Sequence, residues 1–328
     1  MKATRIVLAA LACIPLLGLM GPAAAQAKDA YPARPVRIIV PFLAGGAVDL
    51  VARILSQGLG ARLGQNFLVD NRGGAGGTIG ADAVAKAAPD GHTLLFTAQG
   101  PLVINPFLMK QLPYDPQTAF APISVVVEAP NVLTVRPPAP FSTVSEFVDH
   151  GKANPESMTF GSQGVGTTGH ITGGMITEQT GVQLTHIPYK GFPPMLTDVL
   201  GGRVLMMLTD TVNVVPRIKA KELVAVAVAG EKRSAVLPDV PTFAESGYPG
   251  VVAGPWFSLL APASTPMEIR DRLAAEVRRI LETPEVAAQL TKLGVEVRGT
   301  TPQQFETFLK SEYKRWGDAI RASGITPE

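Results

Sequence analysis

The chain has 328 residues, of which 46% are hydrophobic and 17% are charged. This length fits two domains of roughly 150 residues, and the hydrophobic content is far above that of disordered proteins. The formal net charge is +2, and Lys2 and Arg5 are the charged residues among the first 25. The rest of the chain is therefore neutral overall, which argues against binding nucleic acid or an anionic membrane surface.

Residues 1–25 have the pattern of a secretory signal peptide. Lys2 and Arg5 precede an apolar stretch, and Ala23-Ala24-Ala25 places small residues before a cleavage site. The apolar stretch is short for a membrane span. The single cysteine, Cys13, lies inside it, and lipoprotein cleavage there would leave an unusually short apolar segment. We expect cleavage after Ala25, a periplasmic location, and a mature chain without disulfides or thiolate chemistry.

The first predicted elements alternate between strand and helix. A β-branched run predicts a strand at Val36–Val40, Gly45 and Gly46 predict a turn, and a helical pattern begins at Ala47. A second strand, helix and third strand are predicted at 67–69, 79–87 and 92–97. This rhythm is typical of an α/β fold, with parallel strands joined by right-handed crossovers.

A proline-rich passage over 101–122 precedes strands at 123–127 and 132–135, and the alternation then resumes. Further strands are predicted at 158–161, 184–188, 204–209, 223–229 and 257–261, and terminal helices at 266–282, 284–293 and 302–323. Ser142 is predicted as a helix N-cap. We expect residues 26–130 plus 254–328 to form one lobe and residues 131–253 a second. Two crossings between them imply a hinge and a cleft.

Two glycine-rich turns precede helices and are candidate anion sites, because the first N–H groups of a helix point outward and its dipole favours negative charge. Taken alone, the first of them also fits a plain strand–helix joint of an α/β domain. One is the turn at Gly45-Gly46. The other, Gly164–Gly169, fits G-x-G-x-x-G. A dinucleotide site is disfavoured for it, because no acidic residue ends the next predicted strand and the motif lies in mid-chain.

Other polar residues have both structural and functional interpretations. Asp49 either stabilises the first turn of its helix or contacts a ligand, and Asp210 either caps a helix or lines a site at a strand end. The four histidines lack metal-ligand spacing, so no metal or cofactor is expected. The residues around Ser162 do not match the G-x-S-x-G motif that is typical of a serine nucleophile.

Longer stretches carry a family resemblance. They are YPARPVRIIVPFLAGGAVDLVAR, VDNRGGAGGTIGADAVAKAAPDGHTLL, GSQGVGTTGHI, HIPYKGFPPMLTDVLGGRVLMM and LPDVPTFAESGYPG. The chain resembles the Bug/TctC family of periplasmic solute-binding proteins, which serve tripartite tricarboxylate-type uptake systems. The resemblance implies a two-lobed type II periplasmic binding protein fold with a two-strand hinge. It also implies a non-enzymatic binder that closes on a carboxylate.

The resemblance implies that loops at strand ends hold the carboxylate with backbone amides and hydroxyls. The residues implied in this chain, together with the flanking candidates, are Phe42, Leu43, Ala44, Gly45, Gly46, Asp49, Ala98, Gln99, Ser162, Gly166, Thr167, Thr168, His170, Thr209 and Asp210.

The sequence departs from the family pattern in two places. Leu43-Ala44 stands where members often have Pro-Pro or Pro-Ala, and Gln99 stands where a small hydroxyl residue is common. Thr209 follows the apolar run of its strand where members often have Asp, so Asp210 comes one residue later. A shift of one position turns the carboxylate to the other face of the strand end. We therefore expect a ligand without an amine, such as a dicarboxylate or an aromatic carboxylate.

The leading hypothesis is a monomeric carboxylate binder that delivers its ligand to a tripartite tricarboxylate-type membrane transporter. A second is a ligand-presenting sensor component, which uses the same closed form. A third is a periplasmic hydrolase or isomerase using His170 with Ser162 or Thr167, for which the sequence shows no oriented nucleophile.

Overall fold

The computed structural model describes residues 31–322, so the signal peptide predicted at residues 1–25 lies outside the described part. Strands and helices alternate along most of the chain. The strands are β1 Val36–Val40, β2 Phe67–Asn71, β3 Thr93–Ala98, β4 Phe120–Glu128, β5 Asn131–Val135, β6 Thr159–Ser162, β7 Thr185–Pro188, β8 Met206–Asp210, β9 Val224–Ala229, β10 Trp256–Pro262 and β11 Glu296–Val297. The helices are α1 Ala47–Leu63, α2 Thr78–Ala85, α3 Asn105–Leu108, α4 Val144–Ala153, α5 Thr168–Thr180, α6 Phe192–Leu200, α7 Thr211–Lys219, α8 Met267–Leu281, α9 Pro284–Lys292 and α10 Pro302–Ala322. The predicted α/β class is confirmed.

The strands form two sheets, with helices packed on both faces of each. The order in the first sheet is β11-β4-β10-β3-β1-β2, and in the second it is β7-β6-β8-β5-β9. Buried aliphatic and aromatic side chains form a hydrophobic cluster on either side of each sheet. β8 is buried along its whole length, and its apolar residues Met206, Met207 and Leu208 are followed by the buried polar residues Thr209 and Asp210.

The sheets are mixed rather than purely parallel. β1, β2 and β3 pair in parallel, as do β6, β7 and β8, but β10 and β5 run antiparallel to both of their neighbours. The reason is the path of the chain. β5 and β10 are the first strands after the chain passes from one sheet to the other, so each begins at the end where the neighbouring β8 or β3 finishes.

The two passages between the sheets lie side by side. Ala129 N–H donates to Pro255 O at 2.9 Å, and Asn131 N–H donates to Ala253 O at 3.0 Å. A Cβ atom on Gly254 would lie only 2.2 Å from the Ala129 carbonyl oxygen, so this close approach requires glycine. The two passages therefore act as one hydrogen-bonded unit joining the sheets.

Local details differ from the sequence predictions in two places. The N-cap of α4 is Thr143 rather than Ser142, because Thr143 Oγ1 accepts from Glu146 N–H in a capping box. The proline-rich passage also contains a π-helical turn over Gly100–Ile104 that runs directly into α3. Within residues 31–322, no helix has both the length and the apolar character needed to cross a membrane.

Candidate functional site

Hydrogen bonds and an ion pair fix the shape of the loop after β1. Asp49, in the first turn of α1, accepts a hydrogen bond from Gly45 N–H at 2.9 Å and pairs with Arg53 at 2.9 Å. Asn71 donates to Phe42 O at 3.0 Å and accepts from Arg53. Burial acts to raise the pKa of Asp49, but hydrogen bonds from Arg53 and Gly45 keep it below its ordinary value. Asp49 is therefore ionised and fixes the turn at the N-terminus of α1.

The loop after β6 is also built by short internal hydrogen bonds. Ser162 Oγ accepts from Gly164 N–H at 3.2 Å, and Thr167 Oγ1 donates to Gly164 O at 2.7 Å. Gly164 and Gly166 have φ values of +131° and +77°, which other residues rarely adopt. The chain thus turns sharply and α5 begins at Thr168, with its first N–H groups directed outward.

Loops from both sheets line one cavity. Its volume is about 20 Å³, which is close to the space of a single water molecule. Val48 and Thr168, from the first turns of α1 and α5, both line it. The full lining is Phe42, Val48, Ala98, Gln99, Gly100, Gln163, Thr167, Thr168, Asp210, Pro255 and Phe257.

The lining has no Arg, Lys or His side chain, and Asp210 is its one ionisable residue among those described. Asp210 is 2% exposed. It caps α7, accepting from Asn213 N–H at 3.2 Å and from Asn213 Nδ2 at 2.9 Å. Burial is the largest influence on this carboxyl and raises the pKa of Asp210 to about 6, against the lowering effect of the Asn213 hydrogen bonds. Asp210 therefore caps α7 and also lies on the cavity wall, while its contact with a ligand stays a prediction.

Close contacts join loops of the two sheets beside the cavity. A Cβ atom on Gly100 would lie 3.0 Å from Gly166 O, and one on Gly76 would lie 2.7 Å from Val165 O. A Cβ atom on Gly166 would lie 2.1 Å from Oδ1 of Asn105. The loops touch at positions where side chains would hold them apart.

The structure places six of the fifteen residues singled out from the sequence on the cavity wall: Phe42, Ala98, Gln99, Thr167, Thr168 and Asp210. Nine lie outside the lining: Leu43, Ala44, Gly45, Gly46, Asp49, Ser162, Gly166, His170 and Thr209. Gly45, Gly46, Asp49 and Gly166 shape the two loops instead. Leu43 is 40% exposed and packs near Gly191 of the second sheet's loop.

Five lining residues were not singled out from the sequence: Val48, Gly100, Gln163, Pro255 and Phe257. Gln163 directly follows Ser162, and Gly100 directly follows Gln99. Including one more residue in each predicted strand-end loop would therefore have identified both. Pro255 ends the second passage between the sheets, and Phe257 lies at the start of β10. They carry no local sequence signal, because only the return of the chain brings them to the cavity.

Gln99 has a structural role that its sequence position did not reveal. Its Nε2 donates to Gly254 O at 3.1 Å, and its Oε1 accepts from Trp256 N–H at 3.1 Å. The buried amide therefore extends the β3–β10 pairing into the second passage between the sheets. The aliphatic part of Gln99 is what remains to face the cavity.

Ser162 pairs with His186 rather than with His170. Ser162 Oγ lies 2.7 Å from His186 Nε2, and the His170 ring stacks on His186 with centroids 4.2 Å apart. Burial, with a smaller contribution from His170, lowers the pKa of His186 to about 3. Ser162 has no exposed surface and does not line the cavity, so this pair is not positioned to attack a ligand there.

Comparisons with known proteins agree with this architecture. A profile of the tripartite tricarboxylate transporter family receptor, TctC, matches residues 51–325. The chain is 37% identical to the protein BugT of Bordetella pertussis over 305 residues, covering 93% of this chain and 94% of BugT.

Two solved structures from Rhodopseudomonas palustris share the fold. Rpa4515 with adipate has a TM-score of 0.88 and 34% identity, covering 91% of this chain and 100% of that one. MatC with bound malate has a TM-score of 0.84 and 34% identity, covering 88% and 100%. The solved structure of the periplasmic binding protein BugD has a TM-score of 0.87 and 36% identity, covering 91% of this chain and 100% of that one. The predicted two-lobed periplasmic binding protein fold is therefore confirmed. The chain belongs to the TctC family of tripartite tricarboxylate transporter receptors, a family of periplasmic solute-binding proteins that includes the Bug proteins.

Proposed function

We propose that this protein captures a small carboxylate between its two lobes outside the cytoplasm and delivers it to a membrane transporter of the tripartite tricarboxylate type. One observation carries the proposal. The first turns of α1 and α5 meet at a single cavity that has no basic side chain. Two helix N-termini attract an anion without a salt bridge, which suits a chain that is neutral overall.

Capture requires the lobes to move. The cavity of about 20 Å³ is far below the roughly 300–1,000 Å³ of typical ligand pockets. A dicarboxylate therefore enters only when the loop contacts at Gly76 and Gly100 separate. Ligand contacts to both lobes exist only after the lobes close around the ligand, with a cavity wider than in this structure, so binding shifts the population toward a closed form. In this proposal the lobes are residues 26–130 with 254–328 and residues 131–253, and the paired passages between the sheets are the hinge.

The ligand class follows from the lining and from the relatives. Phe42, Val48 and Phe257 supply apolar walls, while Thr167 and Thr168 supply hydroxyls beside the N-terminus of α5. Such a lining suits carboxylates separated by an aliphatic or aromatic spacer. Rpa4515 with adipate and MatC with malate support a dicarboxylate. The absence of an amine in the ligand, expected from the position of Asp210, is part of the same proposal.

A thermal-shift screen of carboxylates on the mature protein tests binding. A ligand present at 100 times its Kd adds about 2.7 kcal/mol to the free energy of unfolding, which raises the Tm of a chain of this length by about 4 °C. Adipate, malate, citrate and benzoate form the first panel, with the matching amines as controls. No shift with any carboxylate contradicts the proposal.

The delivery step is tested in cells. Deletion of the gene is expected to abolish uptake of the best carboxylate at micromolar concentration, and plasmid-borne protein is expected to restore it. Normal uptake in the deletion strain would contradict a transport role while leaving carboxylate binding intact.

A further inference from the structure

The proposed function places an anionic ligand beside an acidic side chain, Asp210. The inference about Asp210 rests on that proposed function. The cavity is to hold an anion, yet its one ionisable side chain is itself an acid, 2% exposed and without a basic partner among the hydrogen bonds of the described residues. Two carboxylates in one dry site do not both stay ionised, because each raises the pKa of the other.

The titratable side chains on the elements packed around Asp210 do not neutralise it. Strands β5, β6 and β9 and the loop between β6 and α5 carry none. Those on α5, on α7 and around the turn before β11 are His170, Glu178, Arg217, Lys219, Lys292 and Glu296. Across the cavity, α1 carries Asp49, Arg53 and Arg62, of which Arg53 pairs with Asp49. Arg217 and Lys219 lie in the last turn of α7, at the opposite end from Asp210. The Asp210 carboxyl accepts hydrogen bonds from Asn213, from the backbone N–H groups of Asp210 and Val212, and from Thr209 at 3.5 Å, all of them uncharged donors.

Asn213 is arranged so that it can serve a protonated as well as an ionised carboxyl. Its Nδ2 donates to Asp210 Oδ2 at 2.9 Å and to Thr209 Oγ1 at 3.0 Å. Its Oδ1 is buried, and no described residue hydrogen-bonds to it. Rotating the amide by 180° turns Oδ1 toward Asp210 Oδ2, where it accepts from a protonated carboxyl. The hydroxyl of Thr209 can then donate to the same oxygen.

We propose that the cavity takes up its dicarboxylate together with one proton, which Asp210 shares with the distal carboxyl of the ligand. The proximal carboxylate meets the N-terminal turns of α1 and α5. The proton comes from solvent and forms one O–H bond within the Asp210–ligand pair, so the bound pair carries one negative charge instead of two. Asp210 thereby selects a second carboxyl over an uncharged end, because only an acid group can share the proton.

The test is isothermal titration calorimetry at pH 7.5 with adipate and with malate, each in phosphate and in Tris buffer. The difference in heat between buffers gives the number of protons taken up on binding. The proposal expects roughly 0.7–1 proton per ligand for the wild type, and an affinity that falls about tenfold from pH 7 to pH 8. Asp210→Asn keeps an N-cap acceptor, because Asn and Asp cap helices equally well. This variant is expected to take up no proton and to bind with the same affinity at both pH values.

Glu128→Gln is the matched control. Glu128 is another carboxyl whose pKa burial raises, but it pairs with Arg298 outside the cavity lining. Its variant is expected to take up the same proton number as the wild type. Binding without proton uptake, or uptake that persists in Asp210→Asn, overturns the inference and leaves the proposed function standing. Failure of all tested carboxylates to bind overturns the proposed function and the inference with it.

Discussion

A single methyl group at Gly100 is expected to hold the two lobes apart. A Cβ atom there would lie 3.0 Å from Gly166 O, where ordinary contacts are 3.4–4 Å. The loops must therefore retreat by a few tenths of an ångström in the closed form. Overpacking of this kind costs about 1–3 kcal/mol, and about 1.4 kcal/mol corresponds to a tenfold loss of ligand affinity.

The same substitution is not expected to weaken the lobe that contains it. Gly100 begins the π-helical turn before α3 and does not have a positive φ, and Ala is preferred over Gly in helical backbone by roughly 0.5–1 kcal/mol. The unliganded protein should therefore unfold at the same or a slightly higher temperature. A loss of affinity with no loss of stability distinguishes blocked closure from misfolding.

The measurement is a calorimetric titration of Gly100→Ala with the carboxylate that gives the largest thermal shift. Gly60→Ala is the matched control, because Gly60 lies near the end of α1 and a Cβ atom there meets Gln65 O at an ordinary 3.4 Å. The control should gain about 0.5–1 kcal/mol of stability and keep the wild-type Kd. A wild-type Kd for Gly100→Ala would show that the bound form does not close to this contact.

Three further outcomes are expected. Burial holds the pKa of Asp210 at about 6 instead of 3.8, so the protonated form favours folding and this stability is lost as pH rises from about 4 through 6. The free energy of unfolding of Asp210→Asn should therefore exceed that of the wild type by about 3 kcal/mol at pH 7.5 and should equal it below pH 4. Equal stability of the two proteins at both pH values would contradict this. Gln99→Met leaves Gly254 O and Trp256 N–H without these hydrogen-bond partners, so the free energy of unfolding measured in urea should fall by about 2–4 kcal/mol. As a control, Gln117→Met on the surface should lower it by less than about 0.5 kcal/mol. Thr168→Val should weaken carboxylate binding about tenfold, because it removes one charge-assisted hydrogen bond worth about 1.5 kcal/mol. The control Thr177→Val, further along α5, should leave the Kd unaltered.

The sequence determined the elements and the two loops because these depend on local chemistry. Val36–Val40 is a β-branched run bounded by Pro41, so β1 was predicted with its observed bounds. Gly45-Gly46 and the glycines of 164–169 lie where the chain turns sharply into a helix. The start of α1 at Ala47 was predicted, whereas the helix predicted from His170 begins two residues earlier, at Thr168.

The tertiary structure decided which of these residues face the cavity. Asp49 and Gly166 belong to the predicted loops but serve their shape, because their hydrogen bonds and contacts are made within and between the loops. Pro255 and Phe257 reach the cavity only because the chain returns to the first sheet beside β3, a long-range pairing without a local signal. The same return of the chain places Gly254 and Trp256 next to Gln99, whose amide donates to Gly254 O and accepts from Trp256 N–H. Local sequence therefore determined which loops form, and long-range pairing determined which of their residues line the cavity.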